Sequence, residues 1–331
     1  MTATDWLIDA VASMPSRDDE AFTAVSDRAA NILRPAGALA RLDSVAAWVA
    51  GWQRSASPAV RKPAALIFAA DHGVASAGVS AYPTDVTAAM LAAYRAGKST
   101  INAFAAVAGA SVQAIDTGVG RPTGDIRIES AMSPERFDEA VAAGRDAVND
   151  LDADLLVLGE MGIGNTTAAA SITAALCGGD ITDWVGRGTG VDDDGLQRKR
   201  NAVQLAVARI AGITNPLEVL REVGGAELVA ITAAIVAARH RRLPVMLDGY
   251  VVTAAALPLH CKNAAALDHC AVGHCSAEPG HRRLLERIGK QPLLDLDMRL
   301  GEGSGAMASV PLVAMACVGI TDVPTFGEWF G

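Results

Sequence analysis

LLVLGEMGIGNTT, residues 155–167, is the stretch that decides the fold. A short, unbroken apolar run suits a strand buried on both faces. It passes through a glycine-rich turn into Asn165, Thr166 and Thr167, residue types that open helices. Strand, tight turn and helix form the repeating unit of a parallel α/β sheet. The glycines let backbone approach a ligand where a Cβ would clash. The free N–H groups of the helix start offer an anion site, and Glu160 at the strand end can serve ligand hydroxyls or act as a base. Two familiar phosphate loops are excluded, because no Gly-Lys-Ser/Thr follows and GxGxxG is not completed. On spacing alone, an ordinary glycine-rich turn accounts for the segment equally well.

The same alternation extends in both directions. Apolar runs at 64–70, 111–117, 154–159, 244–248 and 292–297 read as strands, with helical patterns at 85–108, 134–149, 165–176, 196–211, 225–239 and 279–289. They predict an α/β protein with a parallel, Rossmann-like sheet and helices on both faces. Ligands in such sheets bind at the carboxyl ends of the strands. Polar and glycine-rich motifs fall there: DHG after the first strand, GEMGIGNTT after the third, DGY after the fourth and RLGEGSG beyond the fifth. Residues 5–54 read as helical, with Leu39, Leu42, Val45, Val49 and Trp52 on one stripe. A last helix at 306–318 and the tail TFGEWFG are expected to return to them. The division expected is a large α/β domain, 61–305, and a small helical domain from 1–60 with 306–331.

Hydrophobic residues make up 51% of the 331 and aromatics only 4%, so the core must be packed from small and branched side chains. A net charge of −9 argues against a nucleic-acid partner, which needs clustered cations. The one basic run, 239–242, reads as cations closing a helix. The first twenty residues carry acids where a signal peptide needs cations, and no eighteen uncharged, strongly apolar residues run without turn residues. Five irregularly spaced cysteines form no disulfide framework. Together these predict a cytoplasmic protein without membrane insertion.

Four further motifs each admit two readings. In GRGTGVDDDGLQRK, 186–199, consecutive acids point apart and suit a solvated helix start better than a metal. Lys199, one helical face further on, either reaches a phosphate or lies on the surface. In MRLGEGSGA, 298–306, Glu302 sits between glycines. It is either a surface turn acid or a carboxylate held in a tight place, where desolvation would raise its pKa toward that of a general base. Asp71 and His72 of AADHGV could belong to a hydrolase triad, but no GxSxG is present. DHCAVGHCSAE, 268–278, lacks zinc spacing and reads as a strand with satisfied histidines, entering a helix at Pro279.

Taken in order and spacing, ADHGV, GVSAYPTDVT, GEMGIGNTT, the GTG with Lys199, VGGAELVAITAAI, PVMLDGY, HCSAEPG and MRLGEGSGA resemble the nicotinate-nucleotide:dimethylbenzimidazole phosphoribosyltransferases, from about residue 66 to 316. The resemblance implies a homodimer that moves ribose 5-phosphate from nicotinate mononucleotide to dimethylbenzimidazole, with no cofactor and no metal. It implies that Glu302 is the catalytic base. It places Glu160, Gly162, Asn165, Thr166, Gly186, Gly188, Gly190, Lys199, Asp248, Gly249 and Ser276 around the nucleotide, several of them at its ribose phosphate. Asp71, Tyr82, Met90 and Leu300 fall at the aromatic base. Better-known members carry Ser and Gln where this chain has Tyr82 and Met90, which leaves open a different lower-ligand base. A dinucleotide-dependent oxidoreductase and a non-catalytic nucleotide-binding protein are the rival readings.

Overall fold

A computed structural model of the protein describes residues 2–331. Three helices come first, α1 (Ala3–Ala12), α2 (Asp19–Asn31) and α3 (Ala40–Gln53), and β1 (Pro63–Ala70) opens the sheet. Then follow α4 (Asp85–Arg95), α5 (Thr100–Ala108), β2 (Ser111–Gly118), α6 (Pro134–Asn149), β3 (Leu155–Met161), α7 (Asn165–Cys177), α8 (Asp193–Arg209), α9 (Pro216–Val223) and α10 (Ala226–His240). The chain continues through β4 (Val245–Leu247), α11 (Tyr250–Lys262), β5 (Cys270–His274), α12 (Pro279–Arg287), β6 (Pro292–Leu294), α13 (Ser304–Thr321) and α14 (Phe326–Phe330).

The six strands form one parallel sheet in the order β2-β1-β3-β4-β5-β6. From β1 the chain goes out to the edge strand β2 and returns to the other side as β3. That reversal opens a crevice between the carboxyl ends of β1 and β3, where sheets of this kind take their ligands. β1 is buried at all eight positions, as expected of a strand covered on both faces. Small side chains let the covering helices lie close: a Cβ at Gly144 of α6 would come within 2.7 Å of the Ala230 carbonyl carbon of α10. α10 is buried from Ala226 to Arg239.

The elements depart from the sequence reading in a few places. The helix expected over 85–108 is two, broken at Gly97 (φ +72), with Ser99 and Asn102 forming a capping box that starts α5. α9 and α11 lie outside the predicted set; α11 is apolar around its circumference, so it shows no stripe. The DHCAVGHC segment is the strand expected there, β5, but of its two histidines only His269 is hydrogen-bonded, to Ile235 O, while His274 has no partner among the described residues. Residues 5–54 form three helices with breaks rather than one helical run, and α1 packs on α6 and α10 of the α/β body instead of joining α2 and α3. The tail does return: Leu33 N donates to Pro324 O, and Arg28 pairs with Glu328 of α14 at 2.9 Å. By length and composition α13 is apolar enough to cross a membrane, but Gly305, Pro311 and Gly319 interrupt its apolar run, as the sequence reading requires, and it lies mostly buried in the fold. Its Met307, Val310, Val313 and Cys317 pack into a core cluster with Val45 and Val49 of α3.

Candidate active site

The carboxyl end of β3 carries the turn that the sequence singled out. Gly162 takes the backbone past a fully buried pair, His72 Nε2 to Glu227 Oε1 at 2.6 Å, and a Cβ there would lie 2.8 Å from Ala70 O. His72 therefore belongs to a Glu227 pair behind the turn, not to a serine triad. Gly164 (φ +99) then starts α7 without any side-chain cap. Beyond it, Thr166 Oγ1 accepts a hydrogen bond from Lys199 Nζ at 2.7 Å. Lys199 is 1% exposed, which removes the surface reading of that residue. Burial lowers its pKa to about 8, with the Glu278 carboxylate opposing. The ammonium, the start of α7 and the Gly188 backbone converge on one spot. A Cβ on Gly188 (φ +54) would lie 2.7 Å from Lys199 Nζ.

Glu160, Gly162, Asn165, Thr166, Gly188, Gly249, Ser276 and Leu300 line a single cavity of about 100 Å3, together with His274, Glu278, Arg299 and Gly301. Glu160 is buried and receives a hydrogen bond from Asn165 Nδ2. Burial, then the charges of Asp248, Glu227 and Glu302, raise its pKa to about 8 against that bond. Glu278, which the sequence reading passed over, accepts from Gly188 N at 2.8 Å, and its own N–H donates to Ser276 Oγ. A wider groove between α1, α6 and α9, lined by Ile8, Phe137 and Leu217, holds none of the predicted residues and lies away from this crevice.

Glu302 sits one residue past Gly301 on the rim, 7% exposed. Its φ of +64 is a left-handed conformation that a residue with a Cβ adopts at a cost of roughly 1–3 kcal/mol. Two glycines make room for the loop: a Cβ on Gly159 of β3 would lie 2.5 Å from Glu302 O, and one on Gly301 (φ +82) 2.6 Å from Glu160 Oε1. The Glu302 carboxyl lies beside the Tyr94 hydroxyl of α4. Neither Glu302 Oε2 nor Tyr94 Oη has a hydrogen-bond partner among the described residues. Burial pushes the Glu302 carboxyl above the usual carboxylate range, Tyr94 opposes this, and the Asp248 charge adds to it. Met90 is one turn before Tyr94 on the same face of α4, and Thr87, whose Oγ1 accepts from Ile163 N, is two turns before it. Tyr94 carries no sequence signal that separates it from a core aromatic.

Several predicted residues stand elsewhere. Asp248 is fully buried behind the wall, its carboxylate directed at the start of α13. Asp71 receives the Gly120 N–H at 2.7 Å and so ties the loop after β2 to the end of β1. Gly190 has open space around it, while Gly186 packs against Glu278 and Pro279. Tyr82 is 56% exposed in the loop before α4, and that loop bonds Thr189 on the cavity wall through Ser80 and Ala81 N. Asp192 caps α8 by accepting from Gly195 N, as the helix-start reading expects, and the acids after it make no cluster with metal-ligand character among the described residues.

A family model described as phosphoribosyltransferase matches residues 14–329. The nicotinate-nucleotide–dimethylbenzimidazole phosphoribosyltransferase of Methylorubrum extorquens is 46% identical over 328 residues, covering 98% of this chain and 96% of that one. The enzyme of the same name from Mesorhizobium japonicum is 47% identical over 325 residues, 98% of this chain and 96% of the relative. The crystal structure of nicotinate-nucleotide-dimethylbenzimidazole phosphoribosyltransferase from Thermus thermophilus superposes with a TM-score of 0.89 at 41% identity, covering 95% of this chain and 98% of that one. Strand order, glycine-rich turns and a left-handed carboxylate at the sheet's rim thus come together with near full-length likeness, and this chain belongs to the nicotinate-nucleotide–dimethylbenzimidazole phosphoribosyltransferase family.

Proposed function

We propose that this chain transfers ribose 5-phosphate from nicotinate mononucleotide to dimethylbenzimidazole, giving α-ribazole phosphate and nicotinate for the nucleotide loop of cobalamin. The observation that carries the residue assignment is the buried, conformationally strained Glu302 carboxyl, with one oxygen unpartnered, beside the crevice lined by Glu160, Asn165 and Thr166.

The chemistry suits these parts. The donor holds a pyridinium at the anomeric carbon, so nicotinate departs with a neutral ring nitrogen and needs no metal to assist it. A ring nitrogen of the flat, neutral acceptor attacks that carbon from the opposite side, inverting it. Once bonded, the acceptor's other nitrogen turns acidic and gives its proton to Glu302. A carboxyl whose pKa lies above the ordinary range is better matched to that proton than a solvated one. The donor phosphate lodges at the start of α7 with Lys199, so that binding remote from the reacting carbon orients the sugar. Met90, beside Tyr94 on α4, and Leu300 on the rim border the acceptor. The departure of Met90 and Tyr82 from the Gln and Ser of better-known members bears on which azole is preferred, not on the reaction.

Incubating the protein with nicotinate mononucleotide and dimethylbenzimidazole should release nicotinate and form the riboside phosphate. Glu302→Gln should lower kcat by roughly 10²–10⁴-fold while the mononucleotide still binds. Near-normal turnover by that variant would remove Glu302 from its role.

We propose further that the enzyme works as a cytoplasmic homodimer. Five free cysteines suit a reducing compartment. Phe104 and Val107 on α5, with Met315 and Val318 on the adjoining α13, present apolar side chains to solvent, Val107 at 85% exposure. Sedimentation equilibrium at micromolar concentration should give twice the chain mass; a monomer there refutes the dimer.

A further inference from the structure

Gly301, Glu302 and Gly303 run consecutively at positive φ, +82, +64 and +83. Glycine accepts that conformation freely at the first and third positions, but Glu302 does not. A strained residue persists only where its surroundings overdetermine it. The surroundings here centre on Asp248, which directly follows β4. Its carboxylate accepts from Gly303 N through Oδ2 at 3.2 Å and from Ala306 N through Oδ1 at 2.8 Å, bracketing the residue after Glu302 and the first turn of α13. On the other side of Asp248, His274 at the end of β5 packs its ring against Gly305 and sets Nε2 3.4 Å from Oδ1, in contact but without hydrogen-bond geometry. Ser304 Oγ closes the turn by donating to Gly301 O at 2.7 Å. Asp248 is fully buried and absent from the cavity wall, so both its oxygens are spent on the loop.

We propose that Asp248, backed by His274, is a positioning residue that fixes Glu302 in its working orientation, rather than a contact of the ribose phosphate. The proposal rests on Glu302 being the base.

Orientation and charge act together. The groups facing the Glu302 carboxyl are Tyr94 from α4, Asp248 from the end of β4 and Glu160 from the end of β3, with His274 behind Asp248. Asp248 is the negative charge that raises the Glu302 carboxyl above the level set by burial, and the first of three that raise Glu160. The same carboxylate therefore holds the base in place and keeps it basic.

Asp248→Asn preserves shape but removes the charge and turns one acceptor of a loop N–H into a donor. Its kcat should fall about 10–100-fold, the range a small misplacement of a reacting group produces. The KM for nicotinate mononucleotide should stay within about threefold. The acid limb of kcat/KM should move to lower pH, because Glu302 loses a neighbouring negative charge. Glu302→Gln with Asp248→Asn should be no slower than Glu302→Gln alone, since a residue that acts through another adds nothing once that other is gone. A raised KM with kcat retained, an unmoved acid limb, or an additive loss in the double variant would each overturn the proposal. If Asp248→Asn does not fold, His274→Asn leaves the two loop bonds in place and should cut kcat about 3–10-fold at constant KM; unchanged kcat overturns it equally. Normal turnover by Glu302→Gln would strike the base assignment itself. A slow Glu302→Gln beside a normal Asp248→Asn strikes only the positioning role.

Discussion

Two helices begin side by side on the rim of this sheet, and their first turns are used in opposite ways. Both α7 and α13 follow a glycine at positive φ, Gly164 at +99 and Gly303 at +83, and neither has a side-chain cap on its N-cap residue. At α13 the protein supplies its own anion: Asp248 occupies the N–H groups of Gly303 and Ala306. At α7 no carboxylate accepts from the backbone; Asn165 N and Thr167 N turn back to Gly162 O and Gly164 O, and Lys199 adds a cation at Thr166. A helix start attracts negative charge by roughly 0.3–1 kcal/mol, more when partly buried. One start is therefore neutralised from within, and on the proposed assignment it organises the base while the other takes the phosphate of the donor.

Removing the cation is the sharper way to break this contrast. Lys199→Ala should raise the KM for nicotinate mononucleotide about 10–100-fold and lower kcat far less, because the lost interaction is made in the ground and transition states alike. Steady-state kinetics at saturating dimethylbenzimidazole would show it. A variant with an unchanged donor KM would mean that the phosphate does not lodge at α7. The pH dependence has a definite sign: burial holds the free ammonium near pKa 8, so donor binding should weaken as pH rises through about 8. A bound phosphate would move that limb upward.

The contrast also shows what sequence could and could not reveal. The switch from an apolar run to glycine and then Asn165-Thr166-Thr167 announces β3 and α7 through local chemistry, and the structure places both there. MRLGEGSGA allows a surface turn acid and a constrained one alike, and Glu302 is the constrained one, 7% exposed at positive φ. Lys199 is harder to read, since its spacing on α8 favours a surface residue. Only the meeting of Gly188, Thr166 and α8, distant in the chain, buries it. Asp248 reads from PVMLDGY as a pocket acid at a strand end. Its direction is set by α13, whose Ala306 lies 58 residues further along. Tyr94 and α11 stay hidden for a related reason: an aromatic on a helix stripe looks like core, and a helix buried on every side has no period to detect.

The smallest expected effect concerns Glu160, which lies by the α7 start and takes no backbone N–H from it. Its hydrogen bond comes from the Asn165 amide alone, while burial and three neighbouring carboxylates press it toward the neutral form, with a pKa of about 8. A carboxyl with a folded pKa above its unfolded value, about 4.5, contributes fully below pH 4.5 and loses that contribution as pH rises through 8. The ligand-free protein should accordingly lose stability across that window, on the order of a few kcal/mol at most. Glu160→Gln keeps an acceptor for Asn165 but cannot ionise, so its thermal midpoint should decline less between pH 5 and 8 and exceed that of the wild type at the upper end. Equal slopes for the two proteins would mean that Glu160 is solvated or bonded by the helix start after all. The two starts would then differ less than their hydrogen bonds indicate.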